Sequence, residues 1–509
     1  MRTGIGVGMS SVGRMAAAAV AVVGVVSGAG MSAAAPTETG PAAGMDRFYR
    51  QQLNWQPCHN DALDKAGAQC AEVRVPLNYA APEGRTIDIA ISRIRAAEPA
   101  ARHGALMTNP GGPGGAGLDF TVQASAFMPP EFHNNYDLIG MDPRGVGRSA
   151  PVHCHWPIGL SLFSAGADQV SFTKSVETHA DLAARCQASA PDVLPYITTR
   201  NAARDVDVIR GALGEQRISY FGMSYGPYLG SVFAQMFPDR VDRLLFDSAV
   251  DPDRYGVAQT QDMGAPNEAA LDAGADWIAA RNGEYHLGTT RSEVRAAAAA
   301  LIDHAARRPI RIGEHSVEGR WIPTLLFVAL ADPRRYDALA ATIRELTDAD
   351  AGTPVQPNPQ LDEDLRFILT AQPDDMAANS VILCGDVSAP RDPQWYWRNI
   401  EASRATQPVF GPFVNNISPC AFWPAPVEPP TAVRNAVPAL ILQATGDPRT
   451  AYQGGVALHH DMTASRLVTL QDAAVHGVSF LPSACVRQAV ATYLRDGTLP
   501  ATDLTCHAD

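Results

Sequence analysis

Residues Ile218 to Gly230 read ISYFGMSYGPYLG, and this stretch decides the fold. Ile218-Ser219-Tyr220-Phe221 has strand character, Gly222-Met223-Ser224-Tyr225-Gly226 is G-x-S-x-G, and the small and aromatic residues that follow can open a helix. The pattern is strand, sharp turn and helix with a serine at the apex, a nucleophile elbow. The apex backbone is strained, and side chains two positions to either side would collide with the adjoining strand and helix, so both positions are glycine. A serine held this way presents its hydroxyl at the top of a sheet.

Outward from the elbow, short β-type runs occur at Glu72–Asn78, Thr86–Ile94, Ala105–Thr108, Tyr136–Met141, Arg243–Phe246, Ala439–Gln443 and Leu467–Leu470. Helix-length segments separate several of them, notably Ala202–Leu213. Such alternation predicts an α/β fold with a mostly parallel central sheet, helices on both faces, and ligands at the carboxyl ends of the strands. The alternation stops after Val250 and resumes near Ala439, a span no ordinary loop fills. Within it lie the alanine-rich Arg291–Ala306 and the proline-rich, acidic Gly352–Asp364, so it reads as a large, mainly helical lid insertion. The division that follows is 1–34 leader, 35–250 first part of the core, 251–438 lid, and 439–509 C-terminal part of the core.

The strand ends carry the chemistry. Thr108 to Gly117 reads TNPGGPGGAG, a loop whose backbone can turn N–H groups toward one point. It lacks the Gly-Lys-Ser/Thr of a phosphate loop and suits an oxyanion hole, with Tyr225 and Gly112 as donors and Gly111 as second choice from the loop. Two acids stand at strand ends, Asp247 and Asp447; the turn Gly446-Asp447-Pro448 shortly before a histidine favours Asp447. His476 follows the last β-type run as the base, while His459 and His460 sit in a helix-like segment and read as structural. Ser224, Asp447 and His476 thus appear in the order Ser…Asp…His. Asp142 and Arg144, after Tyr136–Met141, read as a carboxylate–guanidinium pair bracing nearby loops.

Composition limits the function. The formal charge of −13 over 509 residues argues against nucleic acid or an anionic membrane surface as partner. Arg2 and Arg14, an apolar run from Met15 to about Val26, and Ser32-Ala33-Ala34-Ala35 have the layout of a secretory signal peptide, with no membrane span after its removal. Eight cysteines agree with export, and the simplest pairing joins neighbours: 58 with 70, 154 with 186, 384 with 420, 485 with 506. His153-Cys154-His155 has no second ligand cluster, so no metal is expected, and acyl transfer by this serine calls for no cofactor.

The motifs NPGGPGGAG, DPRGVGRS, YFGMSYG, TGDPRT and HG, with the leader and the insertion, together resemble the secreted α/β-hydrolase serine peptidases of actinobacteria. These are the tripeptidyl aminopeptidase-like proteins, relatives of prolyl iminopeptidases, and the resemblance runs from about Leu53 to Cys506. In prolyl iminopeptidases the glycine loop begins HGGPG; here Pro110 stands in place of the histidine. The resemblance implies the α/β-hydrolase fold and release of short peptides, tripeptides above all, from free N-termini. It also implies an acidic residue near the cleft to pair with the substrate's α-ammonium. Asp386, in Val381-Ile382-Leu383-Cys384-Gly385-Asp386, stands in the corresponding segment. The alternative is an extracellular carboxylesterase or lipase with the same triad. Trp395, Trp397 and Trp423 read as core packing or as an apolar wall of the cleft.

Overall fold

In chain order the strands are β1 (Gln69–Pro76), β2 (Thr86–Ile94), β3 (Gly104–Asn109), β4 (Tyr136–Met141), β5 (Ile218–Met223), β6 (Val241–Asp247), β7 (Ile310–Ile312), β8 (His315–Val317), β9 (Ala439–Ala444), β10 (Arg466–Leu470) and β11 (Leu504–Cys506). The structure is a computed structural model that describes residues 44–371 and 377–509, so the signal peptide read from the sequence lies outside the described residues. Nine strands form one sheet in the order β1-β2-β4-β3-β5-β6-β9-β10-β11. β2 runs antiparallel to β1 and β4, and every other pairing is parallel. The remaining two, β7 and β8, make a small hairpin.

The central strands β3 and β9 are buried at every position, as a parallel sheet covered on both faces requires. Their side chains alternate between two cores. Leu106, Phe221, Leu245 and Leu440 fill one, and Met107, Tyr220, Leu244 and Ile441 the other. The helix Gly226–Met236 after the elbow is almost wholly buried. Gly230 in it lies where a Cβ would come within 2.5 Å of the Phe246 ring, which is how closely this helix approaches the sheet.

Between β6 and β9 the chain is mainly helical and has an apolar core of its own, including Leu271, Ile278, Leu301, Leu326, Leu339 and Ile343. Its helix Arg291–Arg307 starts at a capping box in which Thr290 and Glu293 satisfy each other's backbone N–H groups. Trp423 is buried in the main core, and Trp395 and Trp397 pack, partly buried, at the edge of a smaller cluster around Tyr396 and Ile400. The disulfides join neighbours in sequence, Cys58–Cys70, Cys154–Cys186, Cys384–Cys420 and Cys485–Cys506. Among the described residues no helix is long and apolar enough to cross a membrane.

One expected pairing is corrected. Asp142 and Arg144 do not bond each other: Arg144 is fully buried, and its guanidinium meets Asp205 at 2.6 and 2.7 Å and the carbonyls of Pro76, Leu77 and Tyr196. Asp142 instead accepts N–H groups from Gly117, Leu118 and Arg148. Each therefore braces a loop separately, because a side chain two residues along a tight turn leaves in a different direction.

Candidate active site

Ser224 sits at the junction of β5 and the helix Gly226–Met236 with φ of 64°, a left-handed conformation rare for a residue with a side chain. Its N–H donates to the carbonyl of Asp247 at 2.9 Å, from the adjacent strand β6. A Cβ on Gly222 would stand 2.5 Å from the carbonyl carbon of Gly226, and one on Gly226 would stand 2.9 Å from the carbonyl oxygen of Asn109. The two motif glycines thus admit the close crossing of strand, turn and helix.

The glycine loop after β3 lies against this apex. A Cβ on Gly111, whose φ is +96°, would come within 2.7 Å of Ser224 Cβ and 3.1 Å of the Tyr225 nitrogen. The Gly111 N–H donates to Asn109 Oδ1 at 2.9 Å, so this amide is already engaged, and Gly112 is the next one along the loop. Asn109 opens the NPGGPGGAG motif, but its own role is set by standing at the end of β3 with its side-chain oxygen turned back onto the loop. At the far end, Asp142 grips Gly117 and Leu118. Over the middle lies the helix Ala378–Asp386 of the insertion, with Asn379 Nδ2 donating to the Pro113 carbonyl at 3.0 Å.

Asp447 and His476 come together although 29 residues apart: His476 Nδ1 lies 3.0 and 3.1 Å from the two carboxylate oxygens. Nε2 is thereby the ring nitrogen available to a second partner. The Asp447 carboxylate also accepts the N–H groups of Arg449 and Thr450 and the Thr450 hydroxyl at 2.7 Å. Burial acts to raise its pKa, but the His476 imidazole and these hydrogen bonds outweigh it and hold the carboxyl below its ordinary value. The loop carrying the histidine passes beside the elbow, for a Cβ on Gly477 would be 3.3 Å from Met223 Sδ. His476 N–H donates to the carbonyl of Ala331 in the insertion at 2.9 Å. Asp247, the other acid at a strand end, faces the backbone of residues 478 and 479 rather than the imidazole. His459 bonds Ser465 and pairs with Asp503, a structural setting.

Asp386 is buried at the end of its helix. Oδ1 accepts the Thr199 N–H at 2.6 Å, and Oδ2 accepts the hydroxyls of Thr199 at 2.5 Å and Tyr255 at 3.3 Å. The Thr199 hydroxyl lies 2.6 Å from that of Tyr225, so a chain of hydrogen bonds links Asp386 to the residue after the nucleophile. Burial pushes the Asp386 carboxyl up to about 7, with the hydrogen bonds from Thr199 and Tyr255 opposing it. Asp386 is among the residues that line a narrow recess with Thr198, Arg200, Tyr228 and Glu428.

The chain matches the family model described as alpha/beta hydrolase fold over residues 104–293 and the model described as TAP-like protein over residues 407–506. It is 34% identical to a tripeptidyl aminopeptidase of Streptomyces coelicolor, with 92% of this chain and 88% of the relative covered. The chain belongs to the tripeptidyl aminopeptidase-like family of α/β-hydrolases. It is also 28% identical to the serine protease Hip1 of Mycobacterium tuberculosis, over 90% of this chain and 91% of that one. A protein named carboxylesterase B from the same organism is 30% identical over 89% of this chain and 90% of its own. The protein is therefore a serine hydrolase, and peptidase activity is what its tripeptidyl aminopeptidase and serine protease relatives support.

Proposed function

We propose that the protein is a secreted serine aminopeptidase that releases short peptides, tripeptides above all, from free N-termini through an acyl-enzyme on Ser224. The observation that carries this reading is the Asp447–His476 contact, on a loop that passes Met223 of the elbow whose serine is strained. His476 Nε2 takes the proton as Ser224 Oγ attacks the scissile carbonyl, while Asp447 fixes the tautomer and stabilises the imidazolium. The N–H groups of Tyr225 and Gly112 receive the oxyanion, each contributing about 3 to 4 kcal/mol in comparable sites. His476 then gives its proton to the leaving amine, and water releases the acyl group by the same route.

Release from the N-terminus requires a carboxylate that meets the substrate's α-ammonium. Asp386 is the residue we assign to it: the carboxylate keeps acceptor capacity beyond its bonds to Thr199 and Tyr255, and no cation bonds it among the described residues. The insertion supplies the limit on length, since its helix Ala378–Asp386 rests on the glycine loop. The tripeptide length itself is what the name of the Streptomyces relative suggests. Export is supported by the four disulfides and by the leader-like residues 1–34.

The test pairs free and N-acetylated tripeptide p-nitroanilides with Asp386→Asn. The reading predicts that the free amine is cleaved far faster, and that the variant narrows the gap by raising KM for the free peptide alone. Equal effects on both substrates would remove Asp386 from recognition. The carboxylesterase reading is favoured by the relative of that name; it predicts cleavage of short-chain p-nitrophenyl esters with no response to a free amine.

A further inference from the structure

We propose that Asp247 and Ser248, at the carboxyl end of β6, are positioning residues that set the distance between the nucleophile and the base; the inference rests on Ser224 and His476 being those groups. Asp247 works in two directions. Its backbone carbonyl accepts the Ser224 N–H at 2.9 Å. Its carboxylate accepts the N–H of Val478 at 2.8 Å on Oδ1 and that of Ser479 at 2.9 Å on Oδ2. Ser248 completes the grip: its hydroxyl donates to Asp247 Oδ1 at 3.0 Å and accepts the Gly477 N–H at 2.8 Å.

Three consecutive amides after His476 are therefore held by one dipeptide, and the amide of Ser224 by the same dipeptide's backbone. Both residues are completely buried, and Ser248 adopts φ of 59°, a strained value that the surrounding bonds must maintain. The dipeptide and the residue after it are themselves fixed from β9, since the Ser248 N–H donates to the Leu442 carbonyl and the Ala249 N–H to Gln443 Oε1. No N–H or hydroxyl of the substrate is needed for any of these contacts. They constitute a clamp behind the chemistry, and the acid at the second strand end serves the histidine through its backbone while Asp447 serves the ring.

Both carboxyl oxygens of Asp247 matter as acceptors because all three of its partners here are donors. An amide at 247 keeps one acceptor and turns an NH2 group toward a backbone N–H, which displaces the histidine loop. Displacement of reacting groups by about 1 Å costs on the order of 100-fold in rate.

The experiment measures kcat and KM of Asp247→Asn and Ser248→Gly on a free-amine tripeptide p-nitroanilide, per site titrated with a fluorophosphonate, together with the pH dependence of kcat/KM. Glycine at 248 removes the hydroxyl and tolerates the positive φ. The expected result is a kcat lower by about 10- to 100-fold for Asp247→Asn and several-fold for Ser248→Gly, with KM nearly unchanged. The acidic limb of the profile also shifts, as His476 loses register with Asp447. Wild-type kcat per titrated site and an unshifted limb in a folded Asp247→Asn protein would overturn the proposal. Where Asp247→Asn fails to fold, Ser248→Gly decides by the same criteria. Ser224→Ala and His476→Ala run alongside: if they remain active the catalytic reading itself fails, whereas their inactivity with unaffected clamp variants sinks the clamp alone.

Discussion

Replacing Gly111 by alanine is the sharpest perturbation the active site offers. The added methyl would lie 2.5 Å from the Met223 carbonyl oxygen and 2.7 Å from Ser224 Cβ, against about 3.4 Å for an ordinary contact. The loop or the elbow must then yield by about 0.9 Å, and the residue must also hold φ of +96°. Overpacking of this kind costs about 1 to 3 kcal/mol of stability, which a folded domain survives. Catalysis is less tolerant: a shift of this size between the oxyanion donors and the serine should lower kcat about 100-fold with KM changed little. Gly214→Ala is the control, because Gly214 has a φ of +78° and nothing within 4 Å of the position its Cβ would take. It should lose about 1 kcal/mol of stability through backbone strain and keep full activity. The assay is steady-state hydrolysis of a free-amine tripeptide p-nitroanilide, with the rate of fluorophosphonate labelling at Ser224 as a second readout. Unchanged kcat and labelling rate in folded Gly111→Ala would refute the placement of the loop against the nucleophile.

Further outcomes follow from buried charge. Arg144→Ala leaves the Asp205 carboxyl buried without its guanidinium, so the protein should lose about 3 to 5 kcal/mol in denaturant titration, and the double variant with Asp205→Ala should recover part of it. Asp386 carries a folded-state pKa of about 7 against an ordinary 3.8, so the folded protein binds a proton more tightly than the unfolded chain. The resulting stability is complete below about pH 4 and is lost as pH rises through about 7. The melting temperature of Asp386→Asn should accordingly gain on wild type between pH 4 and 7; parallel curves would show that Asp386 is not desolvated as described.

The parts of this fold that were legible in the sequence are those fixed by local chemistry. The elbow glycine at 222 is demanded by contacts within a few residues, with Tyr220 and Gly226, and the strands β2 and β4 keep the bounds of their β-type runs. The cysteines pair between neighbours because the chain brings neighbours together. What could not be read is partner choice at long range. Arg144 meets Asp205 across 61 residues, whereas proximity in sequence points to Asp142, and no periodicity encodes that. β11 and the hairpin β7–β8 are three residues per strand, too short for alternation to register. Asp247 and Asp447 look alike in sequence, each an acid at a strand end. Only the paths of the loops around His476 distinguish the one facing the imidazole from the one facing the backbone.

The central claim is tested most directly by mass spectrometry of the products from a decapeptide with a free N-terminus, treated with the wild-type protein and with Ser224→Ala. The account predicts tripeptides removed in succession from the N-terminus by the wild type, nothing from the variant, and no cleavage of the N-acetylated decapeptide. Internal fragments, equal cleavage of the acetylated peptide, or activity that survives Ser224→Ala would contradict it.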